Sequence, residues 1–255
     1  MIRIHKLPEP PGLKKYKSEK GLNRSYEDGS DCFTHYKICE SGQTEYCYTS
    51  PNPNNESAFD ELRRQLLKEQ KYVCCYCGSE IPAVFNKNGK EQMKTEHFEP
   101  KKGKNARPDL QLTYSNLLAV CMGNSHSEGE KHCDSRKGDA PLTYLKNPAH
   151  AHFVPLFEYR ILPAQKKVTL HAKKGLTNAQ EIQIEIDTVL NLNEQSLAQR
   201  RYMYWDIKVN RPLKDKWTKA KVEALISELG ATSHAKHIPF LEVIVWYLKE
   251  KHTKL

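Results

Sequence analysis

Residues 95–109 read TEHFEPKKGKNARPD: an acid and a histidine side by side, a proline three residues on, then four cations. Taken alone, Glu96-His97 suits a solvated loop as well as it suits chemistry. The flanking residues decide between the two. Upstream stands VCCYCG, with Cys74 and Cys77 at C-x-x-C spacing followed by a glycine. Downstream come Asn116-Leu117, then Cys121, and last Cys133-Asp134-x-x-Lys137. A histidine beside an acid is common, whereas this ordered series is not.

Two thiolates two residues apart can grip one zinc ion from a tight turn, and a second pair is needed to complete a tetrahedron. Cys121 and Cys133 are the candidates, so Cys74, Cys77, Cys121 and Cys133 are the expected structural Zn²⁺ ligands. Eleven residues separate the second pair where a compact knuckle has two, so His126 or His132 stays open as a substitute ligand. Cys75 falls on the other side of the turn and reads as a spectator. Cys32, Cys39 and Cys47 are widely spaced and read as core or chance. The opening MIRIHKLPEPPGLKKYKSEKG has no apolar leader, and no stretch approaches the ~20 apolar residues of a membrane span. The expectation is a cytoplasmic chain with no membrane partner, in which cysteines persist as thiols or metal ligands.

At 255 residues, with 38% hydrophobic and 28% charged, the chain has enough material for a core under a wet surface. Its net charge of +9 lies mostly after residue 140, and a basic excess favours polyanions such as nucleic acid. Phe59, Leu62, Leu66 and Leu67 recur at helical spacing after a possible cap at Ser57, which predicts a helix over 57–70. NKNGK (86–90) is a hairpin signal, QMKTEHF alternates as a strand, and 99–115 reads as a basic loop. YSNLLAVC leads into a short apolar segment, and CDSRKG into a first helical turn. A hairpin is expected at about 156–172, then helices built on Ile182, Ile186, Val189 and Leu190, on SLAQRRYMYWDIKVN, and on a last stretch burying Phe240, Leu241, Ile244, Val245 and Leu248. Trp205, Trp246 and Tyr247 read as core. The division is an irregular extension at 1–56, a central module at 57–140, and a hairpin plus helices at 141–255.

The order of parts over residues 71–139 resembles the HNH nuclease family, whose common form runs C-x-x-C, D-H-x-x-P-[KR], N-L, C-x-x-C-N-x-x-K. That resemblance implies an α+β fold. It would hold a ββα-metal (HNH) module with zinc-knuckle support, followed by a β-hairpin and a mainly helical C-terminal region. It also implies metal-dependent phosphodiester hydrolysis. His97 would be the general base, because imidazole titrates near working pH. Glu96 and Asp134 would present oxygens to a hard cation, Mg²⁺ or Mn²⁺. Asn116 would brace the loop and orient His97, and Lys137 with Arg136 would contact phosphate at the helix start. Glu96 stands where the family often has Asp, and Asp134 where it has Asn or His; both still suit a hard cation. Lys101, Lys102, Lys104 and Arg107, directly beside the histidine, are the expected clamp on the substrate backbone.

EIDTVLNLNEQSLAQRR and HIPFLEVIVWYL, together with CCYCGSEI, TEHFEPK and YSNLLAVC, resemble the PtuB-like nucleases of Septu and retron-associated anti-phage systems. That resemblance implies control by an ABC/SMC-like ATPase of the same operon (PtuA-like). In retron versions it adds a reverse transcriptase and its RNA–DNA product. DNA is the expected substrate, with structured RNA such as tRNA as the alternative. The reading from a different class is a zinc module that binds nucleic acid or scaffolds a complex without cutting. His97 separates the two, since a binding module has no use for a base flanked by two hard-metal carboxylates.

Overall fold

The structure, a computed structural model, describes residues 1, 3–20, 57–212, 217–230 and 235–253. Cys32, Cys39, Cys47 and the breaker cluster at 50–56 lie outside the described residues. Within the segment expected to be irregular, a helix forms at Pro11–Lys20 (α1). Its start is favoured by Pro11, whose fixed φ suits the first helical position. Leu13 and Tyr16 are buried, and Gly12 sits so near Ala58 that a Cβ would meet that side chain at 2.6 Å. Gly12 N donates to Glu61 Oε2 (2.8 Å), tying α1 to the next helix. Sequence periodicity missed α1 because its apolar face is only two residues wide and the neighbouring helix completes it.

The second helix, Ala58–Glu69 (α2), begins at its expected cap: Ser57 Oγ accepts from Asp60 N at 3.0 Å. Its buried stripe of Phe59, Leu62, Leu66 and Leu67 lies over the central sheet. That sheet is an antiparallel pair, Met93–His97 (β1) and Leu117–Cys121 (β2), with Glu96 opposite Leu118 and His97 opposite Leu117. All five β2 residues are buried, which explains an unbroken apolar run in place of alternation. One helical turn, Asp134–Lys137 (α3), follows, giving the order strand, strand, helix. Ahead of β1, Asn86 N bonds Lys90 O (2.9 Å) and Gly89 takes φ +74°, the turn anticipated from the Asn-Gly pair.

After residue 140 come the antiparallel hairpin Phe157–Leu162 (β3) and Lys167–Ala172 (β4). Helix Ala179–Ile184 (α4) runs into a wider turn at Glu185–Val189. Helix Gln195–Trp205 (α5) does the same at Asp206–Asn210, and Lys219–Gly230 (α6) and Leu241–His252 (α7) complete the described elements. In α7 the buried set is Leu241, Val243, Ile244 and Leu248, with Phe240 just ahead. Val245 is only half-buried, so the buried face of α7, which packs on β3 and α6, runs through Val243, Ile244 and Leu248 instead.

One hydrophobic cluster joins these parts, from Leu13 through Leu118 to Leu248. The passage near residue 140 is clamped: the Glu185 carboxylate accepts from Thr143 N (2.6 Å), Tyr144 N (3.0 Å) and Leu145 N (2.7 Å). Among the described residues no helix is long and apolar enough to cross a membrane.

Candidate active site and metal centre

The turn Cys74–Gly78 and the end of β2 bring three thiols together, and Cys133, just ahead of α3, supplies the fourth. Gly78 N bonds Cys74 O (3.1 Å), and Gly78 takes φ +74° with the Glu242 carboxylate where a Cβ would stand. Cys74 Sγ lies 3.9 Å from Cys133 Sγ and Cys77 Sγ 3.7 Å from Cys121 Sγ, and all four sulfurs fall within 4.8 Å of one another. Four thiolates at ~2.3 Å around a tetrahedral zinc would sit about 3.8 Å apart, so the donor set fits that ion. Cys75 is buried outside the set, its N bonded to Ala119 O (3.1 Å).

The long step from Cys121 to Cys133 is closed by a self-bonded loop. His132 N bonds Gly123 O (3.2 Å), Asn124 Nδ2 bonds Glu130 O (3.0 Å), and Asn191 from the C-terminal half bonds Glu130 Oε2 (3.1 Å) and Lys131 O (3.0 Å). Cys133 N bonds Leu190 O (2.8 Å) and takes φ 55°. His132 is not among the four donors. Its Nδ1 lies 3.2 Å from Cys133 Sγ, and burial lowers its pKa to about 4. With Cys133 as a zinc thiolate, which can only accept, a neutral ring would donate from Nδ1–H and orient the ligand from behind. His126 is exposed and outside the cluster.

β1 carries the charged centre on its two faces. Lys94 and Glu96, two apart, both meet α3: Glu96 Oε1 pairs with Lys137 Nζ (2.8 Å), and Asp134 Oδ2 with Lys94 Nζ (3.0 Å). Lys94 Nζ also donates to Ser135 Oγ (2.8 Å), and Tyr76 Oη donates to Glu96 Oε1 (2.7 Å). Burial raises the Glu96 pKa to about 8; Lys137 acts against this rise, and the neighbouring Asp134 carboxylate adds to it. The two carboxylates are therefore electrostatic neighbours, each with its own lysine. Oxygen donors so placed suit a hard divalent cation better than a soft one.

His97 faces the opposite way. Its Nε2 lies 2.9 Å from Gln111 O, and a carbonyl can only accept, so Nε2 carries a proton; in the neutral ring the lone pair is then on Nδ1. Asn116 holds the loop that brings Gln111 there: Oδ1 accepts from Glu99 N (2.8 Å), and Nδ2 donates to Glu99 O (3.1 Å) and Leu110 O (3.2 Å). Asn116 thus acts on the loop that carries Gln111.

The cations divide. Lys137, expected to face phosphate, is 1% exposed in its side chain and points inward to Glu96 and to His97 O (3.1 Å). Arg136 is exposed and bonds Thr188 O (3.2 Å). Lys102, Lys104 and Arg107 are exposed and Lys101 half-buried, with Arg107 paired to Asp109 (2.6 Å). Tyr76, Lys94, Gln111 and Asn191 were missed in the sequence, and His132, open there as a substitute ligand, stands behind Cys133 instead. Lys94 alone had a readable signal, since a residue two before Glu96 on a strand shares its face.

No family model matches the chain. Two curated proteins are similar to it, and both are described as HNH endonucleases. One is the "Retron Vc95 putative HNH endonuclease" of Vibrio cholerae serotype O1 biovar El Tor, 28% identical over 181 residues, 69% of this chain and 70% of that protein. The other is the "Retron Ec83 putative HNH endonuclease" of Escherichia coli, 30% identical over 70 residues, 27% of this chain and 26% of that protein. These similarities support a nuclease, and with it a nucleic-acid substrate.

Proposed function

We propose that this chain is a metal-dependent HNH endonuclease in which residues 71–139 form a ββα-metal module. The observation carrying the reading is the approach of Glu96 to Asp134 where β1 meets α3, with His97 the next residue and its tautomer set by Gln111 O. With Nε2 bonded to Gln111 O, His97 Nδ1 takes a proton from the attacking water, a contribution of roughly 10²–10⁴-fold. Glu96 and Asp134 would hold a hard divalent cation, Mg²⁺ or Mn²⁺, which when bound would supply charge stabilisation at the scissile phosphate. Lys137 and Tyr76 position Glu96, and Asn116 positions the loop whose carbonyl orients His97. Lys101, Lys102, Lys104, Arg107 and Arg136 take backbone phosphates. The four cysteines would hold zinc, and their convergence ties the start of α3, and hence Asp134, to the turn at Cys74–Cys77.

In its finer form, the protein is a PtuB-like effector of anti-phage defence of the Septu or retron-associated kind, cutting DNA under control of an ABC/SMC-like, PtuA-like ATPase. In a retron setting it also meets a reverse transcriptase and its RNA–DNA product. Exposed Met203 and Ile207 after the start of α5 support a partner surface in the C-terminal half. The competing reading, a zinc module that binds without cutting, draws on the lysines that already neutralise both carboxylates. The test is cleavage of plasmid DNA and of tRNA, with Mg²⁺ or Mn²⁺, by the full chain co-expressed with its operon partners. His97→Ala is expected to abolish cutting with zinc content and folding retained. Undiminished cutting by that variant sinks the assignment.

A further inference from the structure

Between α2 and the segment 82–85 lies an open cleft of about 600 Å³ that the catalytic reading does not use. Its floor is apolar and aromatic, made by Tyr72, Val84 and Phe85, and Phe85 is 36% exposed. Among the described residues its rim carries Arg64, Lys68 and Lys236 against one acid, Asp60. Lys236 Nζ stands 4.5 Å from the centre of the Tyr72 ring. The Arg63 guanidinium, buried to 1%, lies 4.5 Å from the Phe85 ring centre and is anchored to Glu91 Oε1 at 2.9 Å.

Arg63 also lines a second recess, of about 230 Å³, together with Glu91, Lys94, Thr95 and Asp134. Thr95 Oγ1 is buried there without a hydrogen-bond partner among the described residues. One layer of side chains, Phe85 on Arg63, therefore separates the aromatic cleft from a polar recess that reaches a carboxylate of the charged centre. A flat π-face with cations around it is the chemistry of a base-stacking platform, which accepts any base because every base has such a face. A membrane or an apolar peptide would not need three cations about so small a floor.

We propose that this cleft takes one unpaired nucleobase of a single-stranded nucleic acid, stacked on the exposed Phe85 ring beside the Tyr72–Lys236 pair. Arg64, Lys68 and Lys236 contact the adjoining phosphates. The strand continues past Arg63 into the recess of Lys94 and Thr95, which receives the next phosphate on the way to Asp134. The cleft's occupant follows from its own chemistry; only the direction of the strand rests on the proposed endonuclease activity.

The experiment measures binding of a fluorescein-labelled dT oligonucleotide of about 12 nucleotides, within the usual single-strand site sizes. It uses the full chain carrying His97→Ala, so that turnover does not enter, and a blunt duplex of matched length as the second probe. Phe85→Ala is expected to weaken single-strand binding about tenfold, the usual size of one lost stacking contact. Phe85→Tyr should retain affinity, and duplex binding should hardly change. Lys236→Ala should flatten the salt dependence of single-strand binding. Zinc content and melting temperature report folding of each variant. Unchanged single-strand affinity in Phe85→Ala overturns the proposal, as does equal weakening for duplex and single strand, which would leave a backbone contact without stacking. Failure of the endonuclease reading would appear separately, as undiminished cutting by the His97→Ala protein.

Discussion

Replacing Lys137 by methionine leaves Glu96 buried without its counter-ion. The two side chains are 1% and 3% exposed, their N–O distance is 2.8 Å, and Lys137 also donates to His97 O at 3.1 Å. Removing one partner of such a pair costs about 3–5 kcal/mol when the other stays charged, and for a chain of this size each kcal/mol moves the melting temperature by ~2–4 °C. Lys137→Met should therefore lower the melting temperature by on the order of 10 °C at alkaline pH. Glu96 can escape the penalty by taking a proton, and its pKa is already raised to about 8 by burial. The loss should thus be smaller at about pH 6 than at about pH 9. The double variant Glu96→Gln/Lys137→Met should recover most of it, because neither buried charge remains. The assay is calorimetry of wild type, both single variants and the double variant, in zinc-replete buffer free of Mg²⁺. Strictly additive losses at high pH would refute the buried pair, since an interacting pair must show coupling.

The same carboxylate sets a pH slope: with a pKa of about 8 when folded against 4.5 as the ordinary value, Glu96 binds more protons folded than unfolded between those values. Metal-free stability should therefore fall as pH rises through that window, and Glu96→Gln or saturating Mg²⁺ should remove the slope in denaturant titrations. His132→Phe removes the donor behind Cys133 Sγ and should weaken zinc retention about tenfold in chelator competition; retention equal to wild type would show that the contact does not tune the ligand. Lys94→Met removes a partly exposed competitor for Asp134 worth at most ~1 kcal/mol. It should tighten Mn²⁺ binding by up to about fivefold, and weaker Mn²⁺ binding measured by electron paramagnetic resonance would contradict that role.

Local chemistry alone placed several elements. The cap at Ser57, the stripe from Phe59 to Leu67, the Asn-Gly turn at 88–89 and the hairpin near 157–172 are each written within a dozen neighbouring residues. The grouping of Cys74 and Cys77 was equally local. Helix α1 was not, because Leu13 and Tyr16 become an apolar face only against α2. The burial of Val243 in place of Val245 likewise depends on where β3 and α6 touch α7.

What the sequence determined by itself was the inventory and its order: two thiols on a turn, an acid and a histidine on a strand, and a thiol and an acid opening a helix. Periodicity and turn chemistry are short-range, so they place residues on elements. Only the tertiary structure decided partners. It drew Cys121 and Cys133 to within reach of Cys74 and Cys77 through a loop braced by Asn191, sixty residues away in the chain. It turned Lys137 inward to Glu96, chose Nε2 of His97 as the protonated nitrogen through Gln111 O, and set Lys94 on Asp134. Each of these depends on distances between segments far apart in sequence, where burial and charge act through space and leave no periodic trace along the chain.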